Sequence, residues 1–159
     1  MATRDDLYRK YGEASEAAQL LETELGNLLL EHECIDAGLF KYSDPDRATA
    51  IYRRINKQTL GQLIRSLGSI GESNVELDRQ LDRALASRNR LTHAFFLQHN
   101  NRLNSDHGRD VMLRDLEAIH QQLLEAYKAV FLLSGVDLER RAKEQGDSKL
   151  PTDHLPIPT

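Results

Sequence analysis

Three side chains within one short run could do acid–base chemistry on a phosphate. They are Arg88, Asn89 and His93, in the stretch Ala84-Leu85-Ala86-Ser87-Arg88-Asn89-Arg90-Leu91-Thr92-His93-Ala94-Phe95-Phe96. An imidazole titrates near working pH and can move a proton in either direction. A guanidinium is permanently charged and grips a phosphate through two donors. All three lie inside an apolar-periodic helix, where each polar group must be satisfied or exposed for a reason. At about 100° per residue, Asn89 and His93 are only about 40° apart on the helix, so Asn89 could hold the imidazole tautomer. Arg88 and His93 are about 140° apart, which no straight helix aims easily at one phosphate. A kink, or a two-fold dimer setting two copies face to face, would overcome that offset. The structural alternative is that Arg88 pairs with an acid of the first helix and His93 is a satisfied core residue.

This motif resembles the Arg-x4–6-His signature of the HEPN superfamily, the higher eukaryotes and prokaryotes nucleotide-binding domains. It includes the polar residue that the family favours directly after Arg, here Asn89. The six-residue motif is the explicit likeness, and the helical architecture over about 5–135 is the broader one. The resemblance implies a metal-independent RNA endonuclease of a toxin–antitoxin or phage-defence system, with a composite active site at a homodimer interface. His93 would be the acid/base, Arg88 the phosphate clamp and Asn89 the orienting residue. The implied partners are a second copy, an RNA substrate and an antitoxin protein, with no cofactor and no metal. One position departs from the toxin branch. That branch carries a Tyr two residues after the His, where an antitoxin attaches AMP, and here the residue is Phe95. The alternative function is a non-catalytic HEPN-like helical module that binds a protein partner.

Charge is segregated along the chain. Residues 1–36 hold nine acidic and three basic side chains. Residues 47–71 hold Arg47, Arg53, Arg54, Lys57 and Arg65 with no acid, and residues 77–102 hold five Arg against Asp78 and Asp82. Arg53, Arg54, Lys57 and Arg90 are therefore the candidate RNA-backbone contacts. The competing account is a set of solvated helix faces with the acids across from them.

The elements that must position these groups read as helices. Leu7, Tyr11, Ala14, Ala18, Leu21, Leu25 and Leu28 recur at three- and four-residue steps and predict a helix over about 5–33. A loop at 41–45 precedes a segment over about 46–67 that can break near Thr59. The next segment carries Leu77, Leu81, Ala84, Leu85 and Leu91 and is predicted to run to about Gln98. An Asn-rich loop follows, then a helix over about 109–133, with a short extra turn over about 137–143. No strand alternation and no repeat occur. The expectation is an all-α, four- to five-helix bundle, HEPN-like, over residues 1–144. Residues 145–159 are expected to form a disordered tail, with Pro151, Pro156 and Pro158 close together and little to bury.

Composition bounds the rest. The 159 residues are one domain's worth, 40% hydrophobic and 29% charged, with no Trp and a net charge of −4. No global cationic field draws the chain to nucleic acid, so any such contact has to be local. Cys34 stands alone, which excludes an intrachain disulfide framework and fits a reducing compartment. The start lacks a signal-peptide apolar stretch and no window spans a membrane, so the expected location is cytoplasmic. Glu117 and His120 form one Glu-x-x-His pair, but di-iron bundles need two, and no other His has Glu three residues earlier. Phe95 and Phe96 could stack bases, though core or dimer packing accounts for them as well.

Overall fold

The computed structural model describes residues 1–71 and 74–134, and these are all-helical apart from turns and short connections. Six α-helices follow in order: α1 (Arg4–Asp36), α2 (Pro45–Asn56), α3 (Leu60–Ser69), α4 (Val75–His93), α5 (Phe95–His99) and α6 (Asp106–Leu133). A 3₁₀ turn, Asn100–Asn104, joins α5 to α6. The expected turn over 137–143 and the tail over 145–159 lie outside the described residues. Among the described residues, no helix is long and apolar enough to cross a membrane.

The helix starts follow from local chemistry. Thr3 caps α1 and Thr59 caps α3, each in a reciprocal box with the residue three positions on, Asp6 and Gln62. Asp44 caps α2 ahead of Pro45, and Asn74 and Ser105 cap α4 and α6. The expected break near Thr59 is therefore real and yields two helices, α2 and α3. Gly38 follows the end of α1 at φ +70°, a left-handed conformation that glycine adopts without a Cβ penalty.

The apolar stripe of α1, from Leu7 through Leu21, Leu25 and Leu29, packs against Met112, Leu116, Ile119, Leu123 and Val130 of α6 in one core. Ala2 bonds Asp110, and the Ser134 hydroxyl donates to Glu24, so α1 and α6 run parallel. Arg90 pairs with Asp115, and Ser87 bonds Gln122 further along α6, so α4 runs antiparallel to both. Leu60, Leu63 and Leu67 close the core from α3, and Ile55 from α2. Each fully buried Leu contributes about 1.5–3 kcal/mol relative to leaving it exposed.

The helix expected to continue to about Gln98 instead stops at His93. Ala94 leaves helical geometry at φ −133°, and the chain restarts as α5. The break turns Phe95 into the core, with 1% exposure, while Phe96 remains exposed. The expected loop that follows is partly wound into the 3₁₀ turn. Gly108 packs so tightly beneath it that a Cβ there would overlap the Arg102 carbonyl.

Candidate functional site at the α1–α4 face

The C-terminal half of α4 presents three of the sequence-predicted residues. His93 is the last residue of α4 and is exposed. Its imidazole makes no hydrogen bond among the described residues. Arg88, five residues earlier, is only partly exposed. Its Nη2 lies 3.1 Å from Oε1 of Glu22 on α1, and its Nη1 donates to the Asn89 side-chain oxygen at 3.2 Å. Asn89 thus engages Arg88, and no Asn89–His93 hydrogen bond forms among the described residues. Of the two structural roles open to these residues, Arg88 has the interhelical ion pair, whereas His93 is not in the core.

Arg88 borders a groove of about 290 Å³ between α1 and α4, lined by Tyr11, Ser15, Ala18, Gln19, Glu22, Arg88, Leu91 and Thr92. The Tyr11 hydroxyl donates to the Leu91 carbonyl at 3.1 Å, which fixes the ring at one end. That ring lies 5.4 Å from Phe96, which in turn lies 6.4 Å from Tyr8. Tyr8, Phe96 and Leu97 are all exposed, so an aromatic and aliphatic patch borders the end of α4 that carries His93.

The predicted backbone-binding residues are not gathered at this site. Arg53, Arg54 and Lys57 lie at the end of α2, which packs on the C-terminal part of α1. Arg54 pairs there with Glu33, while Arg53 and Lys57 are exposed. Glu33 and Glu22 are separated by about 16 Å along α1 at 1.5 Å per residue, so the α2 cations stand roughly three helical turns from Arg88's partner. Arg90 faces α6 instead.

Arg90 belongs to a polar cluster that the sequence alone did not mark. Its guanidinium makes a two-point contact with the Asp115 carboxylate, one arm at 2.9 Å, and its Nε donates to the Gln98 side-chain oxygen at 2.6 Å. His99, 4% exposed, sits with Nε2 at 2.6 Å from Asp115 Oδ2 and Nδ1 at 3.0 Å from Arg102 Nη1. A guanidinium can only donate, so Nδ1 accepts and Nε2 carries the hydrogen given to Asp115. Burial alone would raise the Asp115 carboxyl, but the hydrogen bonds from Arg90 and His99 and the charge of Arg90 outweigh it and hold the group below the ordinary aspartate range. The cluster ties α4, α5, the 3₁₀ turn and α6 together on both sides of the break after His93. Its only sequence signal was polar residues at positions adjoining an apolar stripe.

Among the described residues, no group of three or more His, Cys, Asp or Glu side chains converges as a metal site would require. His120 is shifted below the ordinary histidine value chiefly by burial, with Lys10 adding to the shift and Glu13 and Glu16 opposing it. No protein-family description, curated protein or solved structure matches this chain.

Proposed function

We propose that the protein is a metal-independent RNA endonuclease whose active site is completed by a second copy of the chain. The supporting observation is the setting of His93: an exposed imidazole with no hydrogen bond among the described residues, at the end of α4 beside an exposed aromatic patch and next to Thr92, which lines the groove that holds Arg88. His93 removes the proton from a ribose 2′-hydroxyl, and the 2′-oxygen forms a bond to the adjacent phosphorus. The bond from phosphorus to the 5′-oxygen breaks, and that oxygen receives a proton from the second copy's imidazole. The products are a 2′,3′-cyclic phosphate and a 5′-hydroxyl. Arg88 donates to the non-bridging oxygens, where charge accumulates in the transition state. Such acid–base assistance is worth about 10²–10⁴ in rate. A toxin–antitoxin or phage-defence setting, with an antitoxin partner, accompanies this reading through the Arg-x4-His resemblance.

The patch of Tyr8, Phe96 and Leu97 gives the second copy an apolar surface to cover, and an interface of at least about 1,200 Å² is expected in total. The test is incubation of purified protein with total RNA in EDTA, alongside His93→Ala. The expected result is cleavage to cyclic-phosphate ends by wild type only. Cleavage that persists unchanged in His93→Ala would identify a contaminating nuclease and overturn the reading.

The Arg88–Glu22 ion pair favours a second reading, a non-catalytic helical module that binds a protein partner. There Arg88 serves to tie α4 to α1, and the exposed patch receives the partner. Wild-type protein that neither cleaves nor binds RNA would establish this alternative over the first.

A further inference from the structure

The groove between α1 and α4 holds a charge that the cleavage chemistry leaves unaccounted for. If Arg88 turns to a phosphate, Glu22 loses its partner and faces an anion. Water can solvate the freed Glu22 carboxylate, which is 30% exposed, but a ligand that also donates to it makes the exchange more favourable. We propose that the groove is a guanine subsite, in which Glu22 and Gln19 read the base edge while Arg88 holds the neighbouring phosphate. This rests on the endonuclease reading and deepens it.

The chemistry selects one base. Glu22 is an acceptor with two oxygens. Guanine presents two parallel donors on its Watson–Crick edge, N1–H and the N2 amino group. Adenine offers an acceptor at N1, uracil a single N3–H between two carbonyls, and cytosine acceptors beside its one amino group. Gln19 lies three residues before Glu22, hence one turn away on the same side of α1, and it lines the same groove. Its side chain has no hydrogen-bond partner among the described residues, so its amide N–H can donate to the guanine O6. Both Glu22 and Arg88 are about 30% exposed, at 30% and 28%, so their mutual ion pair is weak and readily exchanged for these contacts. After the exchange both the Glu22 carboxylate and the Arg88 guanidinium keep hydrogen-bond partners. The groove volume of about 290 Å³ and the fixed Tyr11 ring at its end suit a planar base.

The experiment compares one oligoribonucleotide carrying a single guanosine with the same strand carrying inosine or adenosine there. Inosine lacks only the N2 amino group. Loss of a hydrogen bond to a charged acceptor should lower kcat/KM at least about tenfold. Glu22→Gln should collapse the guanosine-over-adenosine ratio, and Gln19→Ala should reduce it. Wild-type discrimination below about threefold, or a ratio unchanged in Glu22→Gln, overturns the proposal. Should Glu22→Gln misfold, the inosine comparison on wild type and the Gln19→Ala ratio decide. Binding of 3′-GMP against 3′-AMP, read from backbone amide shifts of residues 19, 22 and 92, needs no turnover. Preferential 3′-GMP binding by a protein that cleaves no RNA would uphold the base site and remove the endonuclease reading. Equal or absent binding of the two nucleotides would overturn the subsite.

Discussion

Replacing Asp115 by Ala removes the acceptor shared by Arg90 and His99. The two partners respond differently because their exposure differs. His99 is 4% exposed, so its Nε2–H has no water to turn to and becomes a buried orphan donor, at a cost of about 1–3 kcal/mol. The Arg90 side chain is 37% exposed and keeps Gln98, so its loss is held to about 0–1 kcal/mol by solvent. The total, about 1–4 kcal/mol, is a large part of a stability of about 5–15 kcal/mol. Urea denaturation reads it as a lower midpoint at unchanged slope. The double variant His99→Leu with Asp115→Ala removes the orphan donor, so its cost should fall at least about 0.5 kcal/mol short of the sum of the singles. An Asp115→Ala cost below about 0.5 kcal/mol, or strict additivity, would refute the account.

The pH dependence supplies a second arm. The Asp115 carboxyl is held below its unfolded value of about 3.9. A depressed carboxylate contributes stability above the unfolded value, and that contribution is lost as pH falls through the folded one. The difference between wild type and Asp115→Asn should therefore be flat from about pH 7 to 5 and close below about pH 4.

Leu81→Ala and Leu123→Ala, both at fully buried positions, should each cost about 2–5 kcal/mol in the same denaturation assay, whereas exposed His93→Ala should cost under about 0.5 kcal/mol; an equal loss would place His93 in the core. Gly108→Ala drives a methyl into the Arg102 carbonyl and should cost at least about 1–3 kcal/mol, and a neutral melting temperature would show that the 3₁₀ turn yields freely. The Glu24 carboxyl is pushed up mainly by burial, with Glu31 adding and the Ser134 hydrogen bond opposing. The native state then binds that proton more readily than the unfolded chain, so the ionised form opposes folding at neutral pH. Glu24→Gln should raise the urea midpoint at pH 7, with the gain shrinking toward pH 4; a lowered midpoint at pH 7 would contradict this.

Much of the helical plan was legible because it is written in local chemistry. The three- and four-residue apolar steps of α1 and α6, Asp44 before Pro45 and the Thr59–Gln62 box each act within a turn of their own position. The stop after His93 was not legible, because Phe95 and Phe96 continue an apolar pattern that looks like more helix. Burial of Phe95 beside Tyr11 and His99, a tertiary demand, decides it. The same division holds at the site. Arg88, Asn89 and His93 stand out within one helix. Their partners do not, since Glu22 is on another helix and Asp115 lies 25 residues beyond Arg90. An acid of the first helix was foreseeable as Arg88's partner in kind, but α1 alone offers several.

Arg88 and Arg90 flank Asn89 and look equivalent in sequence, yet two residues on a helix are about 200° apart and face different neighbours. Arg88 looks toward α1 and Arg90 toward α6, as Glu22 and Asp115 show. Arg90 holds its carboxylate by two arms and has Gln98 as well, so turning it toward a phosphate would break several hydrogen bonds and strand His99's acceptor. Arg88 has a single solvent-accessible ion pair worth about 0–1 kcal/mol, which a phosphate can replace. Under the proposed endonuclease reading, the phosphate role therefore falls to Arg88 and the structural role to Arg90. Arg88→Ala should leave the urea midpoint within about 0.5–1 kcal/mol of wild type and abolish RNA cleavage. Arg90→Ala should lower the midpoint more, because it leaves the half-buried Asp115 with His99 alone. The reverse pattern, a stable but inactive Arg90→Ala and an active Arg88→Ala, would exchange the two assignments.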